Sequence, residues 1–241
     1  MSGRTALVTG STDGIGVAIA RTLAAGGAQV IVSGRNAERG EQVVQSILDN
    51  DGEARFVGAD LSTADGVRAL AASAGPVDIL INNAAMLVAP EPTADVLEDI
   101  IDQTLAMNIK AVFLLTGLLA PAMVDRGSGA IVNIGSINGL LGMAHSALYS
   151  ATKAAIHSLT KSWAAEYGPS GIRVNTVAPG PTITPIMAVH ADRIQRIVDR
   201  APSGRPSTPE QIAAAVAFLV SDEAANIHGA TLSVDGGLTA I

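Results

Sequence analysis

Tyr149 and Lys153 are four residues apart in an alanine-rich segment, and this spacing places both side chains on one face of a helix. A phenol with a pKa near 10 is a poor base at neutral pH, but a neighbouring ammonium favours the phenolate and lowers that pKa. At ~4 Å and an effective dielectric constant near 20, the attraction is about 4 kcal/mol, or about three pKa units at most. The pair therefore predicts a tyrosine that exchanges protons near neutral pH. The alternative is an amphipathic helix on which both are ordinary surface residues.

Ser136 stands thirteen residues before Tyr149. It follows the apolar run 130–134 and Gly135, which places it at the carboxyl end of a predicted central strand. Tyr-x-x-x-Lys alone is a weak motif. A serine at this strand end strengthens the catalytic interpretation of Tyr149 and Lys153.

A glycine-rich segment lies between the first predicted strand and the first predicted helix. Gly10 permits a tight turn, Gly14 lets the backbone approach a pyrophosphate, and Gly16 permits close helix packing. The helix N-terminus that follows offers free N–H groups and a positive dipole end. The segment predicts a dinucleotide-binding turn with contacts from Gly10, Ser11, Thr12, Asp13, Gly14, Ile15 and Gly16. The alternative is a glycine-rich turn that binds nothing.

Apolar β-branched runs alternate with longer alanine-rich segments along the chain. Predicted strands span 6–9, 29–33, 54–58, 79–82, 130–134, 173–177 and 231–234, and predicted helices span 15–25, 37–48, 64–74, 96–108, 147–167 and 209–220. Most of the strands are apolar on both faces, as expected of parallel strands covered by helices. The alternation predicts an α/β fold of the Rossmann type: a doubly wound, seven-stranded parallel sheet flanked by helices, in a single domain over residues 1–241.

Composition excludes several function classes. The net charge of −7 gives a nucleic-acid surface no electrostatic support. The chain has no cysteine, which removes disulfides and thiolate ligands, and we predict no metal site. No secretory segment precedes the first strand, and the apolar run 111–124 is too short to span a bilayer, so we expect a soluble, cytoplasmic protein with a buried helix there.

A long connection at 179–206 follows a strand's carboxyl end, where open α/β sheets bind ligands. Its length is typical of a lid or binding loop, and we expect a short helix around 191–200.

The spacing of Gly10, Gly14 and Gly16, together with Ser136, Tyr149 and Lys153, resembles the short-chain dehydrogenase/reductase family. The resemblance covers nearly the whole chain and is to its short, single-domain branch, which includes 3-oxoacyl-carrier-protein reductases. It implies an NAD(P)(H)-dependent alcohol dehydrogenase or carbonyl reductase. Ser136 would polarise the substrate oxygen, Tyr149 would exchange the proton, and Lys153 would bind the nicotinamide ribose. It also implies a homotetramer through the helices at 96–123 and 147–167.

The resemblance extends to further positions. Asn108 stands where the family holds a relay water, although it could simply end a helix. Asn82-Asn83-Ala84-Ala85 matches an element beside the adenine ribose, with Ala85 in place of a glycine; if that residue needs a positive φ, alanine costs about 1 kcal/mol. The remaining matched cofactor positions are Asp60, Leu61, Pro179, Gly180, Thr182 and Thr184.

The end of the second strand bears on the choice of cofactor. An NAD-preferring site has an acidic residue there, but this chain has Gly34 followed by Arg35. Ser33, Arg35 and Asn36 could bind a 2′-phosphate, which favours NADP(H) over NAD(H). Asp13 is a counter-signal, because some NADP-binding relatives carry a cation there. Arg35 could also stack on the adenine or lie in solvent.

We expect the substrate to be a small carbonyl or alcohol compound with an apolar part. The candidate pocket segments are 86–88, 138–145 and 186–190, and the residues singled out in them are Met86, Asn138, His145, Ile186 and Met187. Family members that act on carrier-protein substrates have arginines where this chain has Ala130 and Ser170, which argues against an acidic carrier, although Arg126 and Arg173 are close by. Three alternatives stay open: a sensor that binds NADP(H) without turnover, a reductase of 3-oxoacyl thioesters on another carrier, and an epimerase or dehydratase using the same Tyr and Lys.

Overall fold

The structure is a computed structural model that describes residues 1–184 and 191–241, without the side chains of 191–193. Seven strands form one parallel sheet in the order β3-β2-β1-β4-β5-β6-β7. Their bounds are β1 Thr5–Thr9, β2 Gln29–Gly34, β3 Glu53–Gly58, β4 Ile79–Asn82, β5 Gly129–Ile134, β6 Ile172–Pro179 and β7 Thr231–Val234. The order reverses between β1 and β4, which is where doubly wound sheets open a crevice for ligands.

Helices cover both faces of the sheet. Their bounds are α1 Gly14–Ala25, α2 Ala37–Leu48, α3 Ala64–Ala74, α4 Glu98–Leu105, α5 Ala111–Arg126, α6 Ala147–Tyr167, α7 Ala191–Val198 and α8 Pro209–Val220. Successive side chains of β1 point to opposite faces. Ala6 and Val8 pack with α1, α2 and α8. Leu7 packs with α3, α5 and α6 on the other face.

Helices α4 and α5 form one continuous helix, Glu98–Arg126, joined by a π-helical turn at Ala106–Lys110. At 29 residues it is long and apolar enough, by length and composition, to cross a membrane. The helix is thus longer than the apolar run 111–124 from which a buried helix was expected, because it continues beyond both ends of that run. Leu115, Leu119 and Met123 are buried against the sheet, and we attribute the apolar composition to this packing.

The predicted architecture is confirmed: the sheet has seven parallel strands, and helices flank it on both sides. The short helix expected around 191–200 is α7. The helix predicted to begin at residue 96 begins at Glu98 instead, after a turn at Thr93–Asp95.

Candidate functional site

A cleft of about 1140 Å³ opens at the carboxyl ends of the strands. The turn after β1, the end of β2, the segments after β4, β5 and β6, and the start of α6 all contribute to its walls. The chemistry-bearing residues found by their spacing, Ser136, Tyr149 and Lys153, line it together with Gly10, Gly14 and Gly16. The topology thus brings into one cleft residues up to 143 positions apart in the sequence.

Ser136 and Tyr149 are joined by a hydrogen bond between their side chains. Ser136 follows β5 in extended conformation, and its Oγ also accepts from the backbone N–H of Asn138 at 3.1 Å. This second bond fixes the serine side chain at the start of a short helical turn, Ile137–Gly139. Two hydroxyls are therefore held side by side in the cleft, where both can contact one substrate oxygen.

Lys153 is buried beneath this pair. Its Nζ donates to the carbonyl oxygen of Ile134 at 2.8 Å and lies 5.6 Å from the centre of the Tyr149 ring. Burial lowers the pKa of Lys153 to about 8. Burial raises the pKa of Tyr149 to about 12, and the hydrogen bond with Ser136 offsets only part of that rise.

The lowering of the pKa of Tyr149 that was expected from Lys153 is absent in this structure, where burial raises that pKa instead. The ammonium is held by a backbone carbonyl, and loss of hydration disfavours the charged form of both side chains. With a pKa of about 12, Tyr149 carries its proton at neutral pH in this structure.

His157 lies one turn beyond Lys153 on α6 and supports the serine segment. A Cβ on Gly135 would overlap its Nε2, and one on Gly139 would lie 3.0 Å from its Cε1, so the imidazole packs under both glycines that bracket Ser136. Neither ring nitrogen has a hydrogen-bond partner among the described residues. Burial, Lys153 and Lys161 lower the pKa of His157 to about 4, so the ring is neutral.

Asn108 lies in the π turn and is 1 % exposed. Its Oδ1 accepts from the backbone N–H of Met86 at 2.7 Å, and its Nδ2 donates to the Met86 carbonyl at 3.0 Å and to Thr152 Oγ1 at 3.3 Å. Thr152 in turn donates to the carbonyl of Tyr149 at 2.8 Å. The side chain of Asn108 thus ties the segment after β4 to the helix of Tyr149. π turns displace backbone carbonyls from the regular ladder and often mark functional sites.

The glycine turn has the shape of a dinucleotide cradle. A Cβ on Gly10 would lie 2.8 Å from Ala84 Cα, and one on Gly16 would overlap the carbonyl of Gly10, so neither position tolerates a side chain. Ser11 is fully buried; it donates to Val8 O at 2.7 Å and accepts from Ser33 N, which places its side chain inside the turn rather than in the cleft. The backbone and Thr12, Asp13, Gly14 and Ile15 face the cleft.

The end of β2 forms the cleft's cationic part. Ser33, Gly34, Arg35, Asn36 and Arg39 line it. Ser33 is 1 % exposed, and its Oγ has no hydrogen-bond partner in the described part of the chain, which fits a group still to be bound there. The side chain of Asn36 caps α2 by accepting from Arg39 N at 2.9 Å.

Arg39 was not predicted from the sequence. Its Nη1 is 3.1 Å from a carboxylate oxygen of Asp13, so this ion pair neutralises the charge that the sequence marks as unfavourable for a 2′-phosphate. The sequence feature that could have identified Arg39 is its spacing, because it lies one helical turn after Arg35.

Three predicted cofactor residues turn their side chains elsewhere. Asn82 is buried and donates to Thr116 and Asn133, and the cleft is lined by the neighbouring Asn83, which donates to the carbonyls of Thr9 and Gly10. Asp60 accepts from Ser62, which with Arg35 holds the pKa of the carboxyl below its usual range. The third is Ser11, described above. Ala59, Leu61 and Ala84 form the wall there instead.

Ala85 does not have the positive φ that would have made alanine costly at this position. Asp51 and His145 are the only residues other than glycine with a positive φ in the described chain. Ala85 therefore adopts its conformation without that strain and lines the cleft.

The segment after β6 closes the cleft's other side. The predicted cofactor residues that line this wall are Pro179, Gly180, Thr182 and Thr184. A Cβ on Gly180 would lie 2.7 Å from Asp235 Cα, so the turn after β6 packs tightly on the one after β7. The candidate substrate residues Ile186 and Met187 lie outside the described residues.

The substrate end of the cleft differs from the prediction. Asn138 lines it and donates to Ser146 at 3.1 Å. Met86 turns instead towards Thr104, which donates to its Sδ at 3.8 Å, because Asn108 clamps its backbone. His145 is exposed and lines a smaller neighbouring pocket. The apolar wall includes Val88 and Met143, which lie within the candidate segments 86–88 and 138–145, and Pro90, Ile137, Ile194 and Ile197, which the sequence did not single out. No group of three histidine, aspartate or glutamate side chains in the described ranges could hold a metal ion.

A doubly wound sheet with a glycine-rich turn after β1, and a cleft at the strand ends lined by Ser136, Tyr149 and Lys153, place the chain among the Rossmann-type α/β proteins. The family model described as enoyl-(acyl carrier protein) reductase matches residues 10–239. The chain belongs to the short-chain dehydrogenase/reductase family.

Individual relatives match over their whole length. The cis-4-hydroxycyclohexanecarboxylate dehydrogenase of Sinomonas cyclohexanicum is 41% identical, with 99% of this chain and 97% of the relative covered. A solved structure of a short-chain dehydrogenase/reductase family protein has a TM-score of 0.93 at 45% identity, covering 100% of this chain and 99% of that one. Another, described as an NAD(P)-dependent gluconate 5-dehydrogenase of Beutenbergia cavernae with bound NADP, has a TM-score of 0.95 at 38% identity and covers 100% and 98%.

Proposed function

We propose that this chain is an NADP(H)-dependent carbonyl reductase and alcohol dehydrogenase, with Tyr149 as the residue that transfers the proton. The observation that carries the proposal is the hydrogen bond between Ser136 and Tyr149 over the buried ammonium of Lys153. Two hydroxyls at one point of the cleft can bind one carbonyl oxygen, and the lysine can hold the hydroxyls of a nicotinamide ribose.

The protonation states support a reductive role. Ser136 donates to the carbonyl oxygen and polarises it, and Tyr149, whose pKa is about 12, gives its proton to the same oxygen as it becomes an alcohol. When bound, the nicotinamide supplies the hydride that the carbonyl carbon receives. Lys153, with a pKa of about 8, is the nearest ammonium and favours the phenolate that remains.

The preference for NADP(H) rests on the end of β2. Arg35 and Arg39 supply two cations, and the unpaired Oγ of Ser33 supplies a donor for a phosphate oxygen. The ion pair with Arg39 removes the repulsion that Asp13 alone would exert. NAD(H) remains the second candidate cofactor.

The substrate is a free small molecule rather than an acyl group on an acidic carrier protein. Arg126 donates to Val77 O and pairs with Asp78, and Arg173 donates to Leu219 O and Ser221 O, so both arginines near the expected carrier-protein surface are engaged within the chain. The 41% identical relative acts, by its name, on a cyclic secondary alcohol that also carries a carboxylate; only the cyclic secondary alcohol group is taken from it as support for the substrate here.

The chain as a whole is proposed to act as one cofactor-binding domain, residues 1–241, in a cytoplasmic homotetramer. The exposed apolar side chains Leu105, Phe113 and Leu118 on the α4–α5 helix support an interface there.

A panel of ketones and secondary alcohols, read by NADPH absorbance, tests the function. Wild type should turn over at least one compound, and Tyr149→Phe should lose about a hundredfold or more of that rate. Unchanged turnover in Tyr149→Phe would refute the mechanism. Tight NADPH binding without any turnover would instead support the sensor alternative.

A further inference from the structure

A second, smaller pocket of about 200 Å³ lies beside the main cleft. It is enclosed by the segment after β4, the start of α4 and the start of α6. Its walls are mostly apolar, formed by Val88, Ala89, Val96, Ile101 and Leu148. An apolar cavity of roughly 150 Å³ is large enough to take up benzene, so this pocket can hold a five- or six-membered carbon ring.

The pocket adjoins the reacting groups. Val88, Ala89, Ser146 and Tyr149 line both this pocket and the main cleft. The two cavities therefore share a wall at Tyr149, next to the point where a substrate oxygen would meet the hydroxyls of Ser136 and Tyr149. Any use of this pocket by the substrate rests on the function proposed above.

A backbone contact joins the two segments that form the pocket's outer edge. The N–H of Glu91 donates to the carbonyl of His145 at 2.8 Å. His145 has a φ of 62°, a left-handed conformation that is uncommon for residues other than glycine. The strained residue presents its carbonyl to Glu91, and the pair holds the segment after β4 against the start of α6.

The pocket's surroundings are acidic. Between Arg68 and Lys110 the sequence contains no lysine or arginine. Glu91 lines the pocket, the segment that continues from it carries the exposed Asp95, and the start of α4 carries the exposed Glu98, Asp99 and Asp102. Because these charges repel an anion, the pocket favours a ring without a carboxylate or phosphate.

We propose that this pocket is the substrate's ring subsite, and that the chain acts on uncharged cyclic ketones and cyclic secondary alcohols. The oxygen-bearing carbon faces Ser136 and Tyr149, and the rest of the ring fills the space between Val96, Ile101 and Leu148. Reduction of such a ketone adds a hydride to carbon and a proton to oxygen, and NADPH becomes NADP⁺.

The test compares kcat/KM for cyclohexanone and acetone in wild type, Val96→Phe and Leu97→Phe. Val96→Phe fills the pocket with an aromatic ring, so the ratio of cyclohexanone to acetone should fall about tenfold or more. Leu97 is 69 % exposed and does not line the pocket, so Leu97→Phe is the matched control and should keep the wild-type ratio. Equal ratios in all three proteins would overturn the proposal, provided that thermal unfolding shows Val96→Phe to be folded.

Binding without turnover separates this proposal from the proposed function. Saturation-transfer NMR of cyclohexanone with NADP⁺, which leaves the ketone intact, should show contact in wild type and Leu97→Phe and loss of contact in Val96→Phe. That pattern without any turnover of a ketone would support the pocket and refute the reductase. Turnover with equal NMR contact in all three proteins would support the reductase and refute the pocket.

A third comparison tests the charge preference. The ketone 4-oxocyclohexanecarboxylate should have a higher KM than cyclohexanone, and the difference should shrink as salt concentration rises. A lower KM for the carboxylate would overturn the assignment of an uncharged ring.

Discussion

The ammonium of Lys153 donates to the carbonyl oxygen of Ile134 at 2.8 Å, at the carboxyl end of β5. This bond holds the lysine in the interior, where burial lowers its pKa from 10.5 to about 8. Each pKa unit corresponds to about 1.4 kcal/mol, so keeping this lysine charged costs the folded chain on the order of 3 kcal/mol. The cost is present at neutral pH and fits the catalytic role proposed for Lys153.

Lys153→Met should therefore stabilise the fold at pH 7 while removing activity. The unfolded chain binds the lysine proton more strongly than the folded chain, so wild-type stability gains from Lys153 as pH rises from about 8 to 10.5. Loss of the bond to Ile134 costs the variant about 1 kcal/mol, which leaves a net gain of roughly 2 kcal/mol at pH 7. Urea unfolding at pH 7 and pH 10, without nucleotide, measures this.

The difference between variant and wild type should shrink towards pH 10. The raised pKa of Tyr149 lowers stability above pH 10, but it does so in both proteins and cancels in the comparison. A pH-independent difference between the two proteins would mean that the lysine is charged equally easily in folded and unfolded chains.

The cations at the end of β2 should decide the choice of cofactor. Arg35→Ala should raise the Kd of NADPH about tenfold or more, because a charge-assisted hydrogen bond to phosphate contributes about 1.5–3 kcal/mol, and should change that of NADH little. Arg39→Ala should also weaken NADPH selectively, because it removes a cation and leaves Asp13 unpaired. Asp13→Asn keeps the cap of α1 and should tighten NADPH binding. Fluorescence titration of both cofactors gives these constants.

Arg21→Ala is the matched control for that series. Arg21 donates to Ser46 between α1 and α2 and does not line the cleft. If Arg35→Ala and Arg39→Ala changed both cofactors no more than Arg21→Ala does, neither arginine would contact the 2′-phosphate.

Hydrophobic patterning predicted the strands of the sheet, because a strand that is covered on both faces is made of apolar residues that the sequence itself displays. Runs such as 79–82 and 130–134 are apolar on both faces, and the structure buries them between two layers of helices. The junction of α4 and α5 could not be predicted in this way. A π turn adds one residue to a helical repeat without changing composition, and the signal from apolar periodicity simply fades there.

Some features of the site could likewise be predicted from the sequence, and others could not. Short-range spacing identified Tyr149, Lys153 and the glycine turn, since each lies within one element or turn. It could not show which side chain of a polar pair faces the cleft: Asn82 and Asn83 are adjacent, and β4 points the first into the network with Asn133 and the second towards Gly10. Nor could it show that burial outweighs the ammonium at Tyr149, because burial depends on the packing of the whole chain.

Gly34 should be unable to accept an acidic side chain while Thr12 is present. A Cβ on Gly34 would lie 2.7 Å from Thr12 Cγ2 and 2.8 Å from its Oγ1. Gly34→Asp alone should therefore lower stability and weaken both cofactors. The double variant Gly34→Asp/Thr12→Ala lacks those two atoms of Thr12. Its new carboxylate should repel a 2′-phosphate and accept a hydrogen bond from a ribose hydroxyl. The cofactor preference should therefore shift to NADH. Kd values for both cofactors check this, with Thr12→Ala as the control; an unchanged preference in the double variant would show that position 34 does not contact the adenine ribose.

The exposed apolar face of the α4–α5 helix should be buried in the assembled protein. Phe113 is 52 % exposed yet packs its ring 5.8 Å from that of Trp163 on α6, so the two long helices present one joint surface. Phe113→Asp places a charge in this surface and should reduce the solution mass from four times the 24.3 kDa chain to a smaller species, measured by light scattering. Leu48→Asp is the control, because Leu48 is comparably exposed, at 46 %, but ends α2. A tetramer that survives Phe113→Asp, or one broken equally by Leu48→Asp, would assign the interface elsewhere.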